Sequence, residues 1–201
     1  MRIPRLAVLA MLGALGAILV PPAWAQEYDP IFDFIPSGGR TLLAQVLDSK
    51  PPAADVQALL TSKHSREEWT ADLKERAKRI PALQALDERE LLTLADYLAA
   101  NMPLPASGVA GATTGTGAKR VLPRDGRDMA LHYCQSCHII TVTVTQDRTR
   151  EHWLGTMNKP SHVQIKLTPE ERDALARYLV KNAGIPIDQI PEDLRAGGAT
   201  Y

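Results

Sequence analysis

LTPEERDALARYLVKNAGIP runs from Leu167 to Pro186, and a variant of it, LDERELLTLADYLAANMPLP, has already run from Leu86 to Pro105. Leu86, Glu90, Leu94, Tyr97, Leu98 and Asn101 match Leu167, Glu171, Leu175, Tyr178, Leu179 and Asn182 at one constant offset, so the chain contains an internal repeat. In each copy a helix-starting residue, Asp87 or Thr168, stands three positions before a glutamate, the capping-box spacing, and Pro169 suits a first helical turn. Leu91, Leu94 and Leu98 recur at helical spacing, as do Leu175 and Leu179 with Tyr178 beside them. Each copy is expected to close on a helix that buries one face.

The likeness extends upstream. SREEW, Ser65 to Trp69, parallels TREHW, Thr149 to Trp153, with Ser65 and Thr149 as helix caps. GGRTLLAQVL from Gly38 lines up with DGRDMALHYC from Asp125, so each copy also opens with a helix after a Gly-Arg pair. Residues 105–123, rich in Gly, Ala and Thr and without apolar period, are expected to be an interdomain linker. These features predict an all-α protein of two small helical modules in tandem, residues 26–104 and 124–186, with a C-terminal tail at 187–201. Modules of that size commonly need a staple or a cofactor to complete their cores.

The chain begins MRIPRLAVLAMLGALGAILVPPAWAQ, with two arginines, an apolar run from Leu6 to Val20 and the triplet Ala23-Trp24-Ala25. This is the layout of a cleavable signal peptide over 1–25, and the run is short for a membrane span. Export to the periplasm is expected, with no stable membrane anchor after cleavage. Cleavage would remove Arg2 and Arg5 and no acid, leaving 21 basic against 23 acidic side chains. That balance argues against nucleic acid as a partner.

The only two cysteines sit in LHYCQSCHII, residues 131–140. A structural zinc site needs four protein ligands, and a second cysteine or histidine pair is missing. A thioredoxin-like pair would follow a strand of a βαβ unit, which is not predicted here. A disulfide three residues apart would restrain the unfolded chain little. Cys134-Gln-Ser-Cys137-His138 remains as the C-x-x-C-H signature of covalent haem attachment. Two thiols one turn apart can add to the vinyl groups of a single porphyrin, leaving the histidine beneath the iron; zinc or a redox dithiol stays as the alternative.

With its helix leading into CQSCH, a middle segment with Trp153 and Met157, and the closing LTPEERDALARYL helix, Gly126 to Asn182 resembles a class I cytochrome c. The tandem arrangement, with a short R-x-x-W segment after C-x-x-C-H, is similar to the N-terminal cytochrome domains of quinohaemoprotein amine dehydrogenase alpha subunits. The resemblance implies one haem c on Cys134 and Cys137, with His138 as proximal iron ligand. For the sixth iron position Met157 is preferred, as the only methionine after the attachment site; His162 is the alternative, and an open position is the third. On a helix starting after Thr149, Trp153 and Met157 share a face, and Trp153 would wall the haem pocket. The competing reading of Met157 is core filling. A His/Met pair would raise the reduction potential relative to bis-His ligation.

His132 and His152 are expected at the surface or near a propionate, and Arg150 and Lys159 as solvated charges or propionate partners. Aligned with the second copy, the first places LDSKP, Leu47 to Pro51, opposite CQSCH, and Leu73 opposite Met157. It should hold no haem, and its His64 is expected to be an exposed loop residue. The expected function is single-electron transfer between redox partner proteins, a dehydrogenase donor and a cytochrome or oxidase acceptor. The alternative is a dedicated haem subunit of a periplasmic quinoprotein-type dehydrogenase. Catalysis at the haem would need an open sixth position, and no nucleophile elbow, phosphate loop or acid pair points to another enzyme.

Overall fold

The computed structural model describes residues 30–113, 117–162 and 164–195; the expected signal peptide and the last residues of the tail lie outside them. Every regular element among the described residues is a helix, with no strand, so the fold is all-α. No helix among them is long and apolar enough to cross a membrane.

Three helices carry the first copy of the repeat: α1 (Gly39–Asp48), α3 (Arg66–Ala77) and α5 (Glu88–Asn101). Between them lie α2 (Ala53–Thr61) and the short α4 (Pro81–Gln84). Ser65 and Asp87 make the capping boxes read from sequence, each accepting from the backbone N–H of the glutamate three residues on. α5 packs on α1 and α3.

The residues of the second copy lie on a corresponding series of elements. α8 (Gly126–Met129) continues into a π-helical turn, Ala130–Cys134; a short α9 (Thr141–Val144) and then α10 (Arg150–Met157) lead to α11 (Pro169–Asn182). α11 packs on α8 and α10, and also on α5, so the two closing helices join the halves.

Glycine is required before both arginines of the Gly-Arg pairs. A Cβ on Gly39 would lie 2.1 Å from the Cβ of Tyr97, and one on Gly126 would lie 2.1 Å from the Cβ of Tyr178. Each closing-helix tyrosine therefore rests directly on the backbone of its own opening helix. Its hydroxyl reaches the other half: Tyr97 donates to the carbonyl of Pro123 at 2.9 Å and Tyr178 to the carbonyl of Pro36 at 2.6 Å.

The entry segments follow the same exchange. Ile35 is buried in the cluster of the second half, with Phe32 and Phe34 packed against it, while Ala112, Ala118 and Leu122 are buried in the cluster of the first. Within 105–123, expected to be a linker, the described residues form α6 (Ala106–Thr113) and α7 (Ala118–Val121), and Ala112, Ala118 and Leu122 supply apolar side chains to the first core. Small alanines pack closely without the leucine periodicity that a sequence search looks for. The start of the tail is also packed, with Ile190 1% exposed and the Thr141 hydroxyl donating to the carbonyl of Leu194; α12 (Glu192–Arg195) ends the described chain.

Candidate functional site

Cys134, Cys137 and His138 lie where the opening helix of the second half ends. The π-helical turn carries Cys134, and the next turn is closed by bonds from the N–H groups of Cys137 (3.4 Å) and His138 (3.1 Å) to the Cys134 carbonyl. Such π turns widen a helix by one residue and recur at functional sites. Both thiols are free: Cys134 is half-buried against the second core, and Cys137 and His138 are exposed. Burial pushes the Cys134 thiol above its ordinary range, against a hydrogen bond from Thr143.

The loop after α10 borders this turn. Gln164 Nε2 lies 3.7 Å from Cys137 Sγ, and the Tyr133 hydroxyl donates to the Lys166 carbonyl at 3.3 Å. Trp153 and Met157 are on one face of α10, as their spacing predicts, each 4% exposed, in the same apolar cluster against which Cys134 packs. His162 is half-buried, its Nδ1 3.2 Å from the Ser161 hydroxyl. The structure therefore gathers Cys134, Trp153 and Met157 around one core and leaves His138 exposed.

Arg172 was not singled out from sequence, yet its guanidinium donates to the carbonyls of Met157 (2.6 Å), Ile165 (2.7 Å) and Leu167 (3.3 Å). One side chain of α11 thereby fastens both ends of the loop that follows Met157. The repeat offset holds the signal: Leu91, buried in the first core, stands at the equivalent position of the first copy.

Other expected residues fall as follows. His132 is exposed, edge-on to Tyr133, and His152 and Lys159 are exposed. Arg150 pairs with Asp173 of α11 at a partly exposed position. His64, expected to be exposed, is half-buried and stacks edge-on against Trp69, ring centroids 4.7 Å apart; Arg148 covers Trp153 in the second half at 5.2 Å. Both indole N–H groups are buried without a hydrogen-bond partner among the described residues, so this orphan belongs to the repeat and does not single out the second half.

The cores distinguish the halves. Among the described residues, twenty-one are buried in the first cluster and thirteen in the second. The difference has an address. Ala44, Val46 and Leu47 are buried on α1, but Leu131, Tyr133 and Cys134, their counterparts after α8, are only half-buried. In the first half Leu59 and Leu60 of the nine-residue α2 are fully buried; the second half has the four-residue α9 between its opening helix and α10. Among the described residues no three His, Cys, Asp or Glu side chains converge as the ligands of a metal ion would. The thiols, the adjacent imidazole and a half-exposed apolar face would suit a large apolar group attached through sulfur.

Comparison of the chain with protein-family models, with curated proteins and with solved structures returns no match.

Proposed function

We propose that the protein is a single-haem, class I-like c-type cytochrome that carries electrons one at a time, its second half holding the haem and its first a degenerate copy that holds none. The observation that carries this reading is the half-exposed face of Leu131, Tyr133 and Cys134, whose first-copy counterparts are buried. Leaving such a face wet forfeits roughly 25 cal/mol for each Å² that a covering group would remove from water. Cys134 and Cys137 would hold the group by thioether bonds and His138 would take the proximal iron position. Met157, with Trp153 beside it in a dry core, is favoured over His162 for the sixth. When bound, haem c supplies a one-electron iron couple. The chain's own part is to exclude water, fix the axial side chains and present the rim to redox partners in the periplasm.

The test is maturation of the full chain in an export-competent host that attaches haem, followed by mass analysis and absorption spectroscopy. One haem mass on the processed chain, lost in Cys134→Ala/Cys137→Ala, is the expected result. Bare polypeptide, or two added groups, sinks the proposal. Reduction and oxidation by partner proteins that weaken with salt would mark a transient carrier; salt-resistant co-purification would mark a dedicated dehydrogenase subunit.

A further inference from the structure

Asp125 is a buried carboxylate that starts two helices at once. It is the N-cap of α8, where its Oδ1 accepts from the backbone N–H of Asp128 at 2.9 Å. Its Oδ2 accepts from the backbone N–H of Arg40 at 2.8 Å, in the first turn of α1. That helix begins at Gly38, which has no side chain with which to cap it. Arg40 also donates from its guanidinium to Asp128 at 2.6 Å, and Arg127 returns the grip by donating to the carbonyls of Phe32 (2.9 Å) and Ile35 (3.3 Å). The start of the helix that ends at Cys134 is thus bonded to the first half of the chain through Asp125, Arg127 and Asp128.

Resting on the haem reading above, we infer that the first half, itself without haem, serves as the clamp that sets the attachment turn, and that Asp125 is its positioning residue. A carboxylate capping one helix N-terminus satisfies donors that burial would leave unpaired, and here one carboxylate does so for both halves. The opening helix of the second half passes from α8 directly into a π turn that ends at Cys134, so the place of the thiols depends on where that helix starts. Fixing its first turn against α1 supplies the register.

The reciprocity of the fold provides the test. Gly38 occupies in the first copy the position of Asp125 in the second, and a Cβ at Gly38 would meet the Asp125 carboxylate at 2.1 Å. Gly38→Asp alone therefore forces two carboxylates into one space. Asp125→Gly alone strips the acceptor from the N–H groups of Arg40 and Asp128. The double variant Gly38→Asp/Asp125→Gly returns one carboxylate to the site from the other side, within reach of the corresponding first-turn donors, those of Thr41 and Arg127.

Full-length chains are matured as above, and three quantities are read: the fraction with covalent haem, the melting temperature, and hydrogen exchange at the amides of Cys137 and His138 in chain matured without haem. The expected result is loss of loading and faster exchange in both single variants, and recovery of both in the double. Leu83→Ala, in α4 packed on α1 and α3, is the control: at a comparable loss of melting temperature it should keep its loading and slow exchange. A double variant no better than the singles, or a control that loses as much haem as Asp125→Gly, overturns the clamp. If the unaltered chain takes up no haem, the cytochrome reading falls, and the exchange measurement still decides whether Asp125 orders the turn.

Discussion

Gly126 lies directly beneath Tyr178, so that the smallest side chain at 126 would stand 2.1 Å from the tyrosine Cβ. The backbone of α8 meets the Tyr178 side chain of α11 there, which places the start of α8 against the closing helix. Gly126→Ala is expected to destabilise the fold by about 1–3 kcal/mol or more through overpacking, read as a fall in the urea midpoint. Gly39→Ala should do the same through Tyr97. An unshifted midpoint in either would contradict the close approach.

Tyr97 and Tyr178 exchange hydrogen bonds between the halves, and removing either hydroxyl leaves a proline carbonyl without its partner. Tyr178→Phe and Tyr97→Phe should each cost about 0.5–1.5 kcal/mol, measured by denaturant unfolding. A larger loss confined to one half, seen by hydrogen exchange, would mean that the exchange does not join them.

Arg172 should matter more than an exposed arginine. Arg172→Leu, which copies Leu91 of the first half, removes three charge-assisted bonds to loop carbonyls, a loss of about 1–3 kcal/mol. Proteolysis within 158–167 should accelerate while cleavage elsewhere keeps its rate; unchanged cleavage there would remove Arg172 from any role in holding Met157.

Met157 separates its two readings by spectrum and stability together. Met157→Ala should cost about 2–5 kcal/mol in chain without haem, because the side chain fills the second core. In matured protein the far-red band of thioether-to-iron ligation should vanish. A low-spin spectrum that the substitution leaves unchanged, in a parent without that band, moves the sixth position to His162.

The pH profile should have a maximum. The hydrogen bond from Arg79 holds Asp55 below the usual carboxylate range, helped by the charges of Arg79 and Arg76 and opposed by burial. Its contribution is present above the ordinary carboxylate pKa and lost as pH falls through the depressed value. Burial, and then the neighbouring Asp128, push Asp125 the other way, against the backbone donors of Asp128 and Arg40 and the Arg40 charge. That contribution is present at low pH and lost as pH rises from the ordinary range through the raised value. Asp55→Asn should flatten the acid limb of melting temperature against pH and Asp125→Asn the limb above it. A profile of Asp125→Asn parallel to the parent would show that this carboxylate is not shifted.

Helix starts at Ser65, Asp87, Thr149 and Thr168, the shared face of Trp153 and Met157, and the all-α class follow from interactions within a turn or two, which sequence spacing records. The half-exposed face at Leu131, Tyr133 and Cys134 was half legible: the repeat located it opposite Ala44, Val46 and Leu47, but burial is set by what packs over each opening helix, and on α1 that is α4, α5 and α7. His64 was misjudged because its partner, Trp69, meets it edge-on across a helix start with no charge or period to announce the pair.

What the sequence determined by itself was the repeat, the capped helices and the cysteine pair, since each is a local pattern whose energetics are settled among near neighbours. Only the tertiary structure decided which half each entry segment completes. Pro36 and Pro123 precede equivalent Gly-Arg pairs and offer the same carbonyl, so no local term tells Tyr97 which to choose. The choice is made by packing, when Ile35 enters the second core and Leu122 the first, and the same exchange sets Asp125 over the uncapped start of α1.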